Sequence, residues 1–264
     1  MNRAAAPKAN DTAAEGEGQP ARWFSRVFPA WGALRASALS AGSAAVLAVA
    51  LADPAQAATE SRSVADFDQV VFAVAGEVSI EQGSGETLTL DAEPAVLRKI
   101  TTEVRDRRLF IGLAPGRIET RQPIRMKLGV RTLRAFESRT AGEISIGALR
   151  TDALALLLAG GGSIRLARLD DARRLDVQIS GAGDVAVGAG KVVAQQLAIT
   201  GMGRYSAPRL ASERAEVAID GNGEVHLAAS STLAVRISGV GHVRYAGDPA
   251  VTRSIRGVGT VEKD

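Results

Sequence analysis

The sequence contains no cysteine and only two histidines among its 264 residues. Without cysteine the chain can form no disulfide bond, thiolate metal site or cysteine nucleophile, and two histidines are too few for a histidine-rich zinc site. Charge of one sign is also lacking, because 32 Lys and Arg residues oppose 29 Asp and Glu residues and leave a net charge of +3. A chain with this balance has no strong positive electrostatic potential that would attract nucleic acid. We therefore expect no metal, no cofactor and no nucleic-acid partner.

Aromatic residues are scarce, at 4% of the chain, whereas glycine is abundant, with 28 residues. Both tryptophans, Trp23 and Trp31, lie close to the N-terminus. The rest of the chain must therefore build its core from valine, isoleucine, leucine and alanine. The hydrophobic content of 46% is that of an ordinary globular protein, which excludes a disordered or fibrous chain.

The N-terminal segment has the composition of an export signal. Arg22, Arg26 and Arg35 precede a run of Leu, Ser, Ala, Gly and Val at residues 39–52, followed by Ala-Gln-Ala at residues 55–57. The apolar run has 14 residues, whereas a membrane-spanning helix needs roughly 20. A basic region, a short apolar region and a small-x-small sequence, in this order, are typical of a secretory signal peptide.

The sequence therefore predicts a signal peptide at residues 1–57, cleaved after Ala57. The mature chain, residues 58–264, is then exported to the periplasm, the cell surface or the medium and carries no membrane span. The alternative is an N-terminal anchor helix that is not cleaved.

A repeat of 18 to 21 residues organises the mature chain. Its unit is Gly-x-Gly followed by a polar and an aliphatic residue, and a degenerate first copy is Ala-Gly-Glu-Ile at residues 141–144. The paired turn glycines are Gly160 and Gly162, Gly181 and Gly183, Gly201 and Gly203, Gly221 and Gly223, Gly239 and Gly241, and Gly257 and Gly259. Self-similarity at such a period indicates a repeat architecture.

Between these turns the sequence alternates with a period of two, as in a strand with one buried face. Ala215, Val217 and Ile219 alternate with polar Glu216, for example. A second strand follows each turn, and a third, looser segment completes the unit. Three short strands per repeat predict an all-β fold, a single-stranded parallel β-helix whose coils stack at the inter-strand distance of roughly 4.8 Å.

The glycines are expected at the coil corners for a backbone reason. A corner between two strands needs positive φ or a bulge, and glycine supplies either without a Cβ penalty. A single coil cannot bury its apolar face alone, so the coils must stack and share one core.

Residues 63–132 fit the repeat less well than the regular coils at residues 133–261. Residues 70–80 are typical of an opening coil, and longer strands are expected at residues 88–90, 97–104 and 109–113. We interpret this part as atypical first coils and a cap, because terminal repeats usually deviate from the consensus.

No Pro- or Ser-rich linker separates the two parts of the mature chain. This favours one continuous β-helix domain over residues 58–264. The alternative is a small separate β-sandwich that precedes the regular coils.

Two stretches near the C-terminus, Val243 to Pro249 and Ile255 to Val261, accompany the Ser-Gly-x-Gly turns. Together these features resemble the family called putative auto-transporter adhesin, head GIN domain. The resemblance covers roughly Phe67 to Val261. It implies a right-handed parallel β-helix at the bacterial cell envelope and an adhesin-like role.

Local motifs give little support for metal or phosphate chemistry. A phosphate loop needs a following helix and a Lys-Ser/Thr pair, whereas each Gly-x-Gly lies between predicted strands, which favours a corner turn. Asp170 and Asp171 offer two carboxylates to calcium, yet the acidic residues do not recur at the nine-residue period of a calcium β-roll. His226 and His242 fall one coil apart, not directly stacked and without a third ligand.

The position after each turn forms a predicted outward row of mixed charge. The members that we single out as candidate binding residues are Glu143, Asp184, Arg204, Glu224 and His242. Opposite charges on adjacent coils suit cross-strand pairing, which stabilises the stack by a few tenths to roughly 1 kcal/mol per pair. Tyr205 and Tyr245 are the mature residues that could stack on a sugar ring.

Two functions of different classes are consistent with these features. The first is an exported binding or structural module whose partner is an envelope polysaccharide or a surface protein, with no catalytic residue. The alternative is an enzyme, a β-helical lyase or hydrolase of an anionic glycan, which needs paired carboxylates on one face. Open coil edges also invite end-to-end self-association.

Overall fold

The computed structural model describes residues 57–116 and 120–264. The predicted leader, apart from its last residue, lies outside the described residues. One short helix, α1 (Pro94–Leu97), accompanies the strands. The strands are β1 (Ala58–Arg62), β2 (Gln69–Phe72), β3 (Gly76–Gln82), β4 (Thr87–Ala92), β5 (Ile100–Arg105), β6 (Arg108–Leu113), β7 (Arg125–Val130), β8 (Ala135–Ser138), β9 (Gly142–Arg150), β10 (Ala153–Leu158), β11 (Gly161–Ile179), β12 (Ala182–Ile199), β13 (Met202–Ala207), β14 (Leu210–Ile219), β15 (Asn222–Ala228), β16 (Thr232–Ile237), β17 (Val240–Ala246), β18 (Ala250–Ile255) and β19 (Val258–Lys263).

The strands wind into a solenoid with two broad faces, which confirms the parallel β-helix. On the front face, parallel pairing runs from β3 through β9 and the first halves of β11 and β12 to β13, β15, β17 and β19. On the back face, it runs from β2 through β8, β10 and the second halves of β11 and β12 to β14, β16 and β18. The expected third short strand is not separate, since the strand that begins at Leu210 continues without a break to Ile219.

The N-terminal coils are stacked in an order that differs from their order in the sequence. β2 lies between β6 and β8, and β3 lies between β7 and β9. The predicted opening coil is therefore the second coil in space, and the coil built from β6 and β7 lies outside it. The end of the solenoid is completed by antiparallel strands, because β4 pairs with β7, β1 with β4, and β5 with β6.

One local prediction in this region is wrong. Leu97 belongs to the single helical turn α1, not to a strand, and the strand begins only at Ile100. Pro94 explains the difference, because its fixed φ and missing N–H suit the first position of a helix.

The core consists of aliphatic side chains that stack in register along the solenoid. Ile179, Ile199, Ile219 and Ile237 follow one another at equivalent positions, and each is 0% exposed. Burial of such a side chain stabilises the fold by about 1.5–3 kcal/mol. The buried cluster extends without interruption from Val64 to Val243, so the first coils and the regular coils share one core.

The turn glycines are required by close stacking and not, in most turns, by positive φ. Among them only Gly162 has positive φ. At the first glycine of a turn, an added Cβ would meet the carbonyl oxygen of the equivalent glycine one coil earlier, at 2.0 Å for Gly221 and 1.9 Å for Gly257. At the second glycine it would meet the backbone of the preceding coil, a core isoleucine or both, as at Gly203, where Gly183 O lies at 2.5 Å and Ile179 Cγ2 at 2.7 Å. The expectation that these corners need glycine for its backbone conformation is therefore wrong for most turns, where glycine is needed because a side chain would not fit.

We predict that Gly221→Ala destabilises the protein by at least about 1–3 kcal/mol, because the clash is with backbone that cannot move without separating two coils. Gly83→Ala is the matched control, since nothing lies within 4 Å of its added Cβ. Urea unfolding followed by circular dichroism measures both. Equal midpoints for the two variants would contradict the stacking explanation.

A polar cluster is buried inside the otherwise aliphatic core. Gln195 is 3% exposed and occupies a core position between Leu175 and Ala215. Its Oε1 accepts a hydrogen bond from the Tyr205 hydroxyl at 2.9 Å, and its Nε2 donates to Ser212 Oγ at 2.9 Å. Burial raises the pKa of Tyr205.

This cluster corrects the idea that Tyr205 offers an exposed ring to a sugar, because Tyr205 is only 1% exposed. Tyr245 is half-buried and packs against the core. Neither residue therefore provides an open aromatic platform, and alternation alone did not identify Gln195 as a core residue.

We predict that Tyr205→Phe costs about 1–3 kcal/mol, because it leaves the buried Gln195 Oε1 without its donor. Tyr245→Phe removes a hydroxyl from a half-buried ring and should change stability by less than about 0.5 kcal/mol. Thermal and urea unfolding of the two variants test the difference. If Tyr205→Phe were neutral, the hydrogen bond would contribute nothing to stability.

Candidate functional site

The predicted outward row lies on the front face in continuous register. Ser163 pairs with Glu143 and Asp184, and Arg204 pairs with Asp184 and Glu224. The row then continues through His242 to Thr260. The structure thus brings all five candidate residues into one line across the strands. Ser163 differs from the other members of the row because it is buried, with only 8% of its surface exposed. Arg165 Nη1 donates a hydrogen bond to its Oγ at 2.9 Å.

The C-terminal half of the row contains a small ion-pair network. Arg204 Nε donates to Glu224 Oε2 at 2.9 Å, and Arg244 Nη2 lies 3.5 Å from Glu224 Oε1. The hydrogen bond from Arg204 is the main reason why the pKa of Glu224 lies below its usual range. These charges satisfy one another, so this half of the row is better suited to holding coils in register than to binding a charged ligand.

The row also extends in the N-terminal direction, beyond the residues predicted from the sequence. Glu77 pairs with Glu143 on one side and with Arg125 on the other, and Arg125 in turn pairs with Asp91 of the antiparallel strand β4. Arg125 Nε donates to Glu77 Oε2 at 3.1 Å. The Gly-Glu-Val sequence that contains Glu77 could have suggested its position, but nothing local places Arg125 beside it.

A second outward row, two residues further along the strands, carries hydroxyl groups around Lys127. Lys127 pairs in register with Thr89 and Ser79, and Ser145 follows Ser79 on the next strand. Lys127 is exposed and, among the described residues, has no hydrogen-bond or ion-pair partner. Lys127 therefore presents a solvent-exposed ammonium group whose neighbours in register carry hydroxyl groups.

Two shallow depressions meet at Ser79 and Lys127. One, of about 340 Å³, is lined by Ser79, Glu81, Thr87, Thr89, Lys127, Leu128 and Gly129. The other, of about 270 Å³, is lined by Glu77, Val78, Ser79, Arg125, Met126, Lys127, Glu143 and Ser145. Gly129 keeps the first depression open, because an added Cβ would lie 2.5 Å from Thr87 Oγ1.

The remaining candidate residues lie in ion pairs or apart from one another. In the part of the chain that the structure describes, no three His, Cys, Asp or Glu residues are placed to hold a metal ion. Asp170 is bonded to Arg168 at 2.9 Å, and Asp171 lies 3.4 Å from Arg150. His226 contacts Asp264, whereas His242 stacks on Glu224. As predicted, the two histidines are therefore not stacked on each other.

The fold defines a class, the β-solenoids, in which stacked coils present extended outer faces. Within this class, residues 66–249 match the family putative auto-transporter adhesin, head GIN domain. The chain belongs to this family, as the sequence resemblance implied. Membership of an adhesin family indicates an exported or surface protein.

Solved structures support the same fold. A putative adhesin from Bacteroides fragilis NCTC 9343 aligns with a TM-score of 0.73 at 23% identity, covering 79% of this chain and 97% of its own. A putative adhesin from Parabacteroides distasonis ATCC 8503 aligns with a TM-score of 0.59 at 21% identity, over 79% and 97% of the two chains. A putative lipid binding protein from the same organism aligns with a TM-score of 0.58 at 20% identity, again over 79% and 97%. No curated protein matches the chain.

Within the described ranges, no helix has the length and apolar character needed to cross a membrane.

We predict that Glu224→Gln lowers the free energy of unfolding at pH 7 by a few tenths to about 1 kcal/mol, the range of exposed ion pairs. A carboxylate with a lowered folded-state pKa stabilises the fold above its unfolded pKa and loses this effect as the pH falls through the folded value. The difference between wild type and variant should therefore begin to shrink as the pH falls through the unfolded value of about 4.3, and it should disappear once the pH lies below the lowered folded value. Glu213→Gln, on an exposed residue of the back face, is the control. A difference that does not shrink on acidification would contradict the ion-pair explanation.

Proposed function

We propose that this protein is an exported binding module of the cell envelope whose front face binds a polysaccharide across several strands. The observation that carries this proposal is the pair of depressions around Lys127, where hydroxyls, carboxylates and an ammonium group without a partner among the described residues converge. Sugar hydroxyls both donate and accept hydrogen bonds, so this mixture of donors and acceptors suits them. The leader predicted at residues 1–57, with cleavage after Ala57, would deliver the chain to the periplasm or the cell surface.

The charge of the lining favours a neutral or weakly charged glycan. Glu77, Glu81 and Glu143 border the depressions together with Arg125 and Lys127. A strongly anionic chain would meet more carboxylates than cations there, and like charges at close range are unfavourable. The face also has no exposed aromatic platform in its described part, so each sugar contact is weak. Affinity would then come from contacts repeated along the ligand.

The alternative of a lyase or hydrolase gains no support from this face. Glu77 and Glu143 are adjacent, but both project from an open surface and Glu77 is bonded to Arg125. Catalytic carboxylates normally work in a site that excludes water and perturbs their pKa values. Binding without turnover is the function that the geometry supports.

A glycan array tests the proposal. We predict that wild-type protein binds at least one envelope polysaccharide and that Lys127→Ala weakens this binding about tenfold, the usual cost of losing a charged hydrogen bond. Lys191→Ala is the matched control, since Lys191 is an exposed lysine that has no partner in the described part of the chain and lies several coils away from Lys127.

Three outcomes would contradict the proposal. Failure of the wild type to bind any envelope polysaccharide would exclude a glycan partner. Capture of a single surface protein instead would assign the face to the other partner class. Equal loss in both lysine variants would show that Lys127 has no special role.

A further inference from the structure

The C-terminal coil leaves an open strand edge on the back face. Among the described residues β18 pairs only with β16, so its other edge carries no strand. Every residue of β18 is exposed, including the aliphatic Val251 and Ile255, at 38% and 39%. This contrasts with the other end of the solenoid, where antiparallel strands complete the fold.

The backbone groups on this open edge belong to alternate residues. The N–H of Ala250 donates to Ser231 O at 2.9 Å, and the N–H of Arg256 donates to Ile237 O at 2.8 Å. Both bonds point towards the preceding coil. Because peptide groups alternate in direction along a strand, the N–H and C=O groups of Val251, Arg253 and Ile255 point away from it. They are available to one more strand.

The side chains of the same three residues occupy core positions at the end of the solenoid. Val251 stacks on Leu233 and Ile255 on Ile237, whereas Arg253 stacks on Val235. A cation therefore ends a column that is aliphatic in the preceding coils. Arg253 has no partner among the described residues, so its guanidinium is open to a ligand.

We propose that the open edge of β18 binds an extended segment of another protein by strand addition, and that this segment carries an acidic residue between two aliphatic residues. Backbone hydrogen bonds supply affinity in this mode of recognition, and alternate side chains supply specificity. The aliphatic residues would cover Val251 and Ile255, and the carboxylate would pair with Arg253.

A second copy of this chain fits the edge less well. Antiparallel pairing of β18 with its own copy would place the two Arg253 side chains opposite or diagonal to each other. Like charges at such positions destabilise a strand pair. An inward-pointing charge on an edge strand is also a known means of preventing edge-to-edge association. The chemistry of this edge therefore selects an acidic partner.

The test uses two fluorescent seven-residue peptides, TVTETVT and TVTKTVT, titrated against the full chain. We expect the glutamate peptide to bind about fivefold more tightly than the lysine peptide, as a favourable cross-strand charge pair allows. Amide chemical shifts should change at Val251 to Ile255. Arg253→Glu should reverse the preference between the peptides, and Arg236→Glu, on the outward side of β16, should leave it unchanged.

The proposal is overturned if neither peptide binds, if both bind equally, or if Arg236→Glu has the same effect as Arg253→Glu. Sedimentation velocity of the chain alone provides a further measurement. A concentration-dependent dimer that Val251→Lys dissociates would assign the edge to a second copy and also overturn the proposal. Because the edge lies far along the solenoid from Lys127, loss of peptide binding and loss of glycan binding can be distinguished.

Discussion

The in-register parallel backbone ladder is the interaction on which the rest of this structure depends. Each regular coil places its residues one strand spacing above the equivalent residues of the coil before it, so that Ile219 lies on Ile199 and Gly221 approaches Gly201. A slip of one residue would move every aliphatic side chain from the core to the surface. The aliphatic core residues therefore stabilise one strand register, and this register in turn keeps them in the core along the solenoid.

The same ladder determines what kind of surface the protein presents. Outward residues form straight rows one strand spacing apart, so the front face is a flat array of charges and hydroxyls, not a cleft. Where opposite charges fall on adjacent coils, as at Arg204 and Glu224, they neutralise each other. Where the chain departs from the simple repeat, Lys127 has no hydrogen-bond or ion-pair partner among the described residues, and shallow depressions open around it. Irregular coils thus provide the recognition features that regular coils lack.

Much of the fold could be predicted because its signals are local and periodic. Glycine spacing and two-residue alternation indicated the coils, and they placed Glu143 to His242 in one row. The order of the first coils could not be predicted, because β2 and β3 are inserted between two successive coils that both come later in the sequence. The hydrogen bond between Gln195 and Tyr205 in the core was not predicted either. It joins a back-face strand to a front-face strand, and the sequence does not show which side chains of the two faces meet inside the coil.

The repeat, the parallel β-helix and the family can all be recognised from the amino-acid sequence, because each turn carries the same short pattern. Only the three-dimensional structure shows why the turns require glycine. The cause is the short distance to the preceding coil and, in most turns, not a positive φ angle. The three-dimensional structure also decided that Arg125 and Lys127 lie beside Glu77 and Ser79. Such neighbours are joined by strand pairing over about 48 residues of chain, a separation across which no local periodicity carries information.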